Sequence, residues 1–436
     1  MRGPVLYGCG NPPTRERLLP PVGIAAGVAV RSWSRGLTRN IVLLAVASLL
    51  TDVSSEILVP LLPLFLLTLP DLPPGFGYLV IGVIESIAES LVSFLKMVSG
   101  LVSDRLGRRK RLVAAGYGLS TAMKSLLPWA ASWLHVLGVR IGDRVGKGVR
   151  DPPRDALIAE STPPETVGKA FGFHRAMDTT GAVLGPILVL ILFPVLSSTR
   201  GSDQAFRDLF LMAVIPAFVA FLVVLAVKEV RAAPRRTLRL RLGLRALPIR
   251  LRLFVIVAGL YALANFTLLI PIIVVRDAAV AAGFSPEAAQ TLAIFEYVLF
   301  NIVYALLAVR AGTLSDRIGR KPVILAGYAA FVGGSLGFAT VGTPFALMLC
   351  FLAYGIAYAF VEGTQRALVA DLAPGDLRAT SLGTYHAAVG VGKLPASILA
   401  GALATVVAPW AAFLTGAAIA SMAAALFVGT FAEAKR

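Results

Sequence analysis

Gly100-Leu101-Val102-Ser103-Asp104-Arg105-Leu106-Gly107-Arg108-Arg109-Lys110 is a short basic hairpin set between two long apolar runs. It returns once, as Gly312-Thr313-Leu314-Ser315-Asp316-Arg317-Ile318-Gly319-Arg320-Lys321, with glycine, serine, aspartate, arginine, glycine and basic residues in the same order. Asp104 and Asp316 stand 212 residues apart in a chain of 436, which points to two similar halves. The likeness continues beyond the hairpins. Ala115-Gly116-Tyr117 reappears as Ala326-Gly327-Tyr328, and Ala156-Leu157-Ile158-Ala159-Glu160 as Ala367-Leu368-Val369-Ala370-Asp371, both at an offset of 211.

The runs around the hairpins are too apolar for a soluble protein of this size: 57% of residues are hydrophobic and 15% charged, with a mean hydropathy of +0.79. A bilayer core takes roughly 20 apolar residues per helix, and only helices or closed barrels leave no backbone group unpaired in lipid. Long runs without alternation select helices. Spanning segments read at 40–68, 77–99, 111–132, 135–159, 167–196, 208–228, 253–275, 287–309, 322–340, 344–370, 377–407 and 410–431. The fourth is the least apolar, holding Arg140, Asp143, Arg144, Lys147, Arg150, Asp151, Arg154 and Asp155, and the internal repeat supports it.

This gives a tail at 1–39, expected to be disordered, a six-helix bundle at 40–228, a basic linker at 229–252, a second bundle at 253–431 and a short end at 432–436. The tail's apolar stretch, Leu18 to Val30, is too short to span and is interrupted by Pro20-Pro21, which argues against a signal peptide. Two cysteines, Cys9 and Cys350, make neither a disulfide framework nor a cysteine metal site.

A net charge of +17 would suggest nucleic acid in a soluble protein, but here the basic residues fall in alternate connections. They precede segment 1, follow segment 2 from Arg105 to Arg111, and fill the connection after segment 6, whereas the intervening connections are neutral or mixed. The positive-inside rule then places both termini and the linker in the cytoplasm. With no phosphate loop (Gly142 to Gly148 lacks the spacing) the energy source is an ion or solute gradient rather than ATP.

The hairpin resembles the signature loop of the major facilitator superfamily, Gly-x-Leu-x-Asp-Arg-x-Gly-Arg-Arg/Lys, with Val102 in place of the usual leucine and Leu314 matching it in the second copy. The resemblance runs from about residue 40 to 431 and implies an all-α membrane protein, twelve transmembrane helices in two pseudo-symmetric bundles. Arg140 with Gly146 and Gly148 is similar to the family's motif in the fourth helix, from which Asp143, Arg144 and Lys147 depart. Gly181 to Pro186 is similar to the fifth-helix motif of exporters, without its final glycine pair. Thr51 to Glu56 and the charged fourth helix look like a bacterial subgroup of permeases and efflux proteins. The resemblance makes Gly100, Asp104, Arg105, Gly107, Arg108, Gly312, Asp316, Arg317, Gly319 and Arg320 a conformational gating motif, in which Asp104 is expected to pair with a neighbouring arginine or helix terminus.

Ionisable residues in the bilayer are costly and face a bundle interior or a watery cavity. Segments 6, 9 and 12 carry no internal charge, segment 3 carries Lys124, and segments 8 and 11 carry Glu296 and Lys393. From the remaining charges the candidate solute and proton pathway is Asp52, Glu56, Glu85, Glu89, Arg140, Asp143, Arg144, Arg150, Arg154, Arg175, Asp178, Glu362 and Arg366. Asp52 and Glu56, like Glu85 and Glu89, are four apart and share a helix face. Carboxylates near one another and near arginines either carry a proton whose affinity changes with conformation or form fixed ion pairs; the sequence leaves both open. Pro152-Pro153 is expected to interrupt the fourth helix and free carbonyls into the cavity. His174 and His386 fall near the basic ends of their helices, where solvated histidines are ordinary.

The expectation is a secondary transporter and not an enzyme, since no other catalytic constellation stands out, moving a small polar, charged or amphiphilic solute with protons by alternating access. Its partners are the solute, protons and lipid, with no nucleic acid, cofactor or metal, in a monomer of the bacterial inner membrane. Drug efflux and uptake of a metabolite or siderophore-like chelate stay open. A membrane-embedded enzyme and a transporter-like sensor are the rival classes.

Overall fold

The computed structural model describes residues 37–106, 108–163, 166–230, 247–374 and 378–432. Nearly all of the expected tail, most of the linker, the last four residues and Gly107 lie outside the described residues, as do the side chains of Asp104 and Arg105. The chain folds as α1 (Arg39–Leu66), α2 (Gly77–Leu106), α3 (Arg109–Leu126), α4 (Trp133–Glu160), α5 (Val167–Arg200) and α6 (Ser202–Leu225). After the linker come α7 (Ile249–Ala281), α8 (Pro286–Ile318), α9 (Arg320–Thr340), α10 (Pro344–Leu372), α11 (Arg378–Val406) and α12 (Pro409–Ala432). No strand occurs among the described residues.

Ten of these twelve helices are long and apolar enough to cross a membrane by themselves. The exceptions are α3 and α4, which lie together in the first half, so their place depends on packing. Glycine provides the closeness: a Cβ on Gly116 would come within 2.6 Å of the Gly146 carbonyl, and one on Gly146 within 2.6 Å of the Gly116 carbonyl. With α3 on one side and α2 on the other, the charged face of α4 is withdrawn from lipid.

The structure moves three expected boundaries. The signature hairpin is mostly helix: Gly100 to Leu106 completes α2, and Gly312 to Ile318 completes α8, leaving Gly319 (φ +92°) as the second turn. Next, α5 extends to Arg200 and α6 begins at Ser202, around Gly201 at φ +79°. The polar residues there read as loop but pair along the helix ends, Arg200 with Asp208 and Arg207 with Asp203, each at 2.9 Å. Finally, α7 breaks between Ala264 and Leu269. The break is held by hydrogen bonds from the Tyr358 hydroxyl to Asn265 Oδ1 (2.8 Å) and from the Thr267 amide to Ser397 Oγ (3.0 Å).

The two halves meet along α2 with α11 and α5 with α8. At the end away from the basic loops the first seam is closed. The Tyr78 hydroxyl donates to Asp277 (2.9 Å), the Leu79 amide to Thr405 Oγ1 (3.1 Å) and the Ile398 amide to Ser86 Oγ (3.1 Å). Toward the basic end, the side chains of Lys96, Arg175 and Glu362 are 43%, 56% and 45% exposed. This conformation is therefore shut at the far end and wetter at the basic end.

Candidate functional site

Between the halves lies a cavity of about 210 Å³ lined by Glu85, Glu89, Arg140 and Arg144 from the first half and by Asn265, Tyr358 and Lys393 from the second, with the α7 break as one wall. Helical spacing delivers the first group: Arg140 and Arg144 on α4 face Glu85 and Glu89 on α2. Arg140 is 2% exposed and donates to Glu85 Oε1 from Nε (3.0 Å) and Nη2 (2.5 Å). Arg144 Nε stands 3.6 Å from Glu89 Oε1, a looser pair.

The expected pathway residues separate into distinct groups. Asp143 turns from the cavity toward α3, where it accepts a hydrogen bond from Ser120 Oγ and lies 3.9 Å from Lys124 Nζ. Lys124 in turn donates to Ser54 Oγ (3.1 Å) and Ser55 Oγ (2.7 Å) of α1. Closer to the basic end, Asp151 gathers Lys96 (3.0 Å), Arg150 (3.7 Å) and Arg154 (3.6 Å), while Arg154 also pairs with Asp155 (3.0 Å) and donates to Ser48 (3.2 Å). The Arg150 guanidinium sits 4.6 Å over the Tyr117 ring. All four arginines of α4 thus have protein partners.

Asp52 and Glu56 are half-buried on α1. Gly181 and Gly185 of α5 make room beside them, since a Cβ there would come within 2.6 Å of the Leu49 carbonyl and 2.8 Å of the Val53 carbonyl. Glu56 Oε2 accepts a hydrogen bond from the Tyr297 hydroxyl of α8 at 3.0 Å, which crosses between the halves. Asp52 lies among Asp178, Lys147, Glu56 and Arg150 without an ion pair or hydrogen bond of its own among the described residues.

A second crossing joins α5 to α8 and α10. Glu362 accepts from the Tyr304 hydroxyl (2.6 Å) and pairs with Arg366 (3.0 Å) and Arg175 (3.9 Å), and Arg175 also reaches the Tyr304 hydroxyl (3.4 Å). His386 is exposed as expected, but His174 is buried at 4%, with Nδ1 3.5 Å from Asp178. The close packing of α5 on α1 covers it.

Two expectations about the backbone change. Helix α4 runs unbroken through Pro152 and Pro153. Pro153 has no N–H for the Val149 carbonyl, and Ser99 Oγ of α2 donates to that carbonyl instead at 2.5 Å, so it is not released into the cavity. In the gating motif, Arg108 and Arg317 are exposed, and Asp316 pairs with Arg320. Sequence reasoning passed over the partners that close each half: Arg109 with Glu160 (2.6 Å) and Arg320 with Asp371 (3.0 Å). Glu160 and Asp371 stood in the internal repeat, which was their signal. It named Lys147 but left it out of the candidate pathway, and it passed over the tyrosines, whose hydroxyls carry no hydropathy signal.

Two related six-helix halves around a charged cavity define a multi-pass membrane transporter. The profile of the Major Facilitator Superfamily matches residues 44–296 and 254–436. An uncharacterised MFS-type transporter of Methanocaldococcus jannaschii, MJ1317, is 36% identical over 394 residues, covering 90% of this chain and 95% of that one. Among solved structures, the nucleoside transporter NupG superposes with a TM-score of 0.73 at 16% identity, covering 90% of this chain and 99% of its own. A D-xylose-proton symporter gives 0.72 at 16%, covering 89% and 96%. The chain belongs to the Major Facilitator Superfamily; it is a transporter, not an enzyme.

Proposed function

We propose that the chain moves a small charged organic solute, together with protons, by alternating access through the cavity between its halves. The observation that carries this reading is the pair of crossings between the halves, the hydrogen bond from Tyr297 to Glu56 and the contacts of Arg175 with Tyr304 and Glu362, which tie carboxylates to contacts between halves. A carboxylate in such a contact changes its surroundings when the halves rock, and a change in proton affinity with conformation is what coupling requires. Asp52 and Glu56 are the proton-handling pair in this reading, with Asp104 and Asp316 in the gates.

The solute's anionic group meets lysine rather than arginine. The arginines of α4 are matched to carboxylates, whereas Lys147 of α4 and Lys393 of α11 have no ion pair or hydrogen bond among the described residues, and Lys393 lines the cavity. With the basic loops in the cytoplasm, as the positive-inside rule expects, the wetter end of this conformation faces the cytoplasm. Purified protein in liposomes tests this: under an imposed pH gradient it should move protons with a charged solute, and Asp52→Asn or Glu56→Gln should leave solute movement insensitive to the gradient. Unchanged coupling in both variants would remove this pair from the proposal.

A further inference from the structure

Glu296 lies apart from every group described above. It is 0% exposed on α8, and neither carboxylate oxygen has a hydrogen-bond partner among the described residues. It shares a helix stripe with Ala293 and Phe300, both buried, and Phe300 packs on Phe351 and Tyr358 of α10. The titratable group that faces it is the Cys350 thiol of α10; among the described residues, α5, α7 and α9 bring no charged side chain to bear on it, and the Glu56 carboxylate of α1 is engaged by the next residue, Tyr297. Arg276 and Asp277 of α7 are paired with each other.

The fold does not call for a carboxylate at this position. At the 212-residue offset that relates the two hairpins, Glu296 corresponds to Ile84 of α2, also 0% exposed and part of the apolar core. One half fills the position with a hydrocarbon and the other with an ionisable group. An unpaired carboxylate charge in such surroundings costs several kcal/mol. Glu296 is ten residues into α8, about 15 Å at 1.5 Å per residue, which is near the middle of a bilayer core. Its neighbour Phe295 lines a groove between α5 and α8 on the far flank, with Ser197, Ser198, Glu287 and Thr291 as polar members.

We propose that Glu296 is a proton-binding site of the second half, filled in the conformation described and exchanged with water when the bundle opens at the end away from the basic loops. Proton binding and closure of that end are then linked: a proton favours the closed conformation, and raising the pH favours the open one. The linkage deepens the proton-coupled reading above and rests on it; the site itself does not.

The test uses the full chain in lipid nanodiscs and needs no solute. Infrared spectra at neutral pH should show a protonated carboxyl band that is lost in Glu296→Gln and in Glu296→Ile, which copies the first half, and is kept in Glu56→Gln. A band unchanged in Glu296→Gln, or no such band in the parent protein, overturns the site. Spin labels at exposed Phe76 and Phe284, one on each half at the far end, report opening. The open-to-closed ratio should rise with pH by up to about tenfold per unit, the limit for one proton, and Glu296→Gln should flatten the response. An undiminished response in that variant overturns the linkage. Liposomes that move no protons with solute would sink the coupled reading while leaving the infrared result intact.

Discussion

The Tyr297 hydroxyl of α8 donates to Glu56 Oε2 of α1 at 3.0 Å, one of the hydrogen bonds that join two halves of the chain. A bond to a charged acceptor contributes about 1.5–3 kcal/mol where it forms, and this one forms in the conformation closed at the far end. Tyr297→Phe should therefore shift the population toward the other conformation by about tenfold, the equivalent of about 1.4 kcal/mol. Distance measurements between labels on the two halves check this, and an unchanged distribution would show that the bond survives the transition.

Arg140 and Glu85 give a sharper contrast, because both are almost wholly buried. Removing one partner leaves an uncompensated charge, so Arg140→Ala should cost about 3–5 kcal/mol of stability. Replacing both, as Arg140→Met with Glu85→Leu, should restore most of the stability without restoring transport. Thermal unfolding in detergent and liposome uptake separate the two effects. Full transport by the double variant would reduce the pair to a structural role.

Ser99 performs a task set by a proline in a neighbouring helix. Its hydroxyl reaches the Val149 carbonyl that Pro153 cannot satisfy. Ser99→Ala should cost about 1–3 kcal/mol, the penalty for an unsatisfied buried acceptor. In a Pro153→Ala background the amide returns and the same serine change should cost much less. Additive effects in this cycle would mean that the carbonyl finds water or another donor.

The hairpins disclosed the two-fold repeat and, with it, the helix order, because a repeated glycine-aspartate-arginine pattern is local in sequence. Charge in apolar runs disclosed which helices face inward. What stayed hidden depends on direction and partner. Asp143 and Arg140 are three residues apart on α4, yet one turns to Ser120 and Lys124 and the other to Glu85. The break in α7 has no proline within it, and its Asn265 and Thr267 are held by Tyr358 and Ser397, 93 and 130 residues away in sequence. Periodicity has no access to such contacts. The same limit explains why Pro152-Pro153 read as an interruption: the donor that relieves it is on another helix.

The acid–arginine contacts that close the basic end should differ between halves although the sequence repeats them. Arg109 and Glu160 are 10% and 24% exposed, Arg320 and Asp371 23% and 52%. Solvent screens the second pair more, and pairs of that kind contribute about 0.2–1 kcal/mol. Glu160→Gln should lower the melting temperature more than Asp371→Asn, and added salt should erase the effect of the second change first. The reverse order would mean that Asp371 is held by more than Arg320.

Lys393 of the second half lines the cavity with no ion pair or hydrogen bond among the described residues, opposite the loosely matched Arg144 and Glu89 of the first. A solute carboxylate or phosphate that bridges to it would bind the folded protein, and binding to the native form alone raises the melting temperature. In a thermal-shift screen of charged and neutral metabolites, stabilising compounds should be anionic or zwitterionic. Lys393→Gln should weaken them by about tenfold, roughly the 1.4 kcal/mol of one charge-assisted contact, and leave neutral compounds unaffected. Lys147→Gln should do the same if both lysines hold one anionic group. Stabilisation by neutral sugars alone, indifferent to Lys393→Gln, would move the solute's anchor to Asn265, Tyr358 and Ser397.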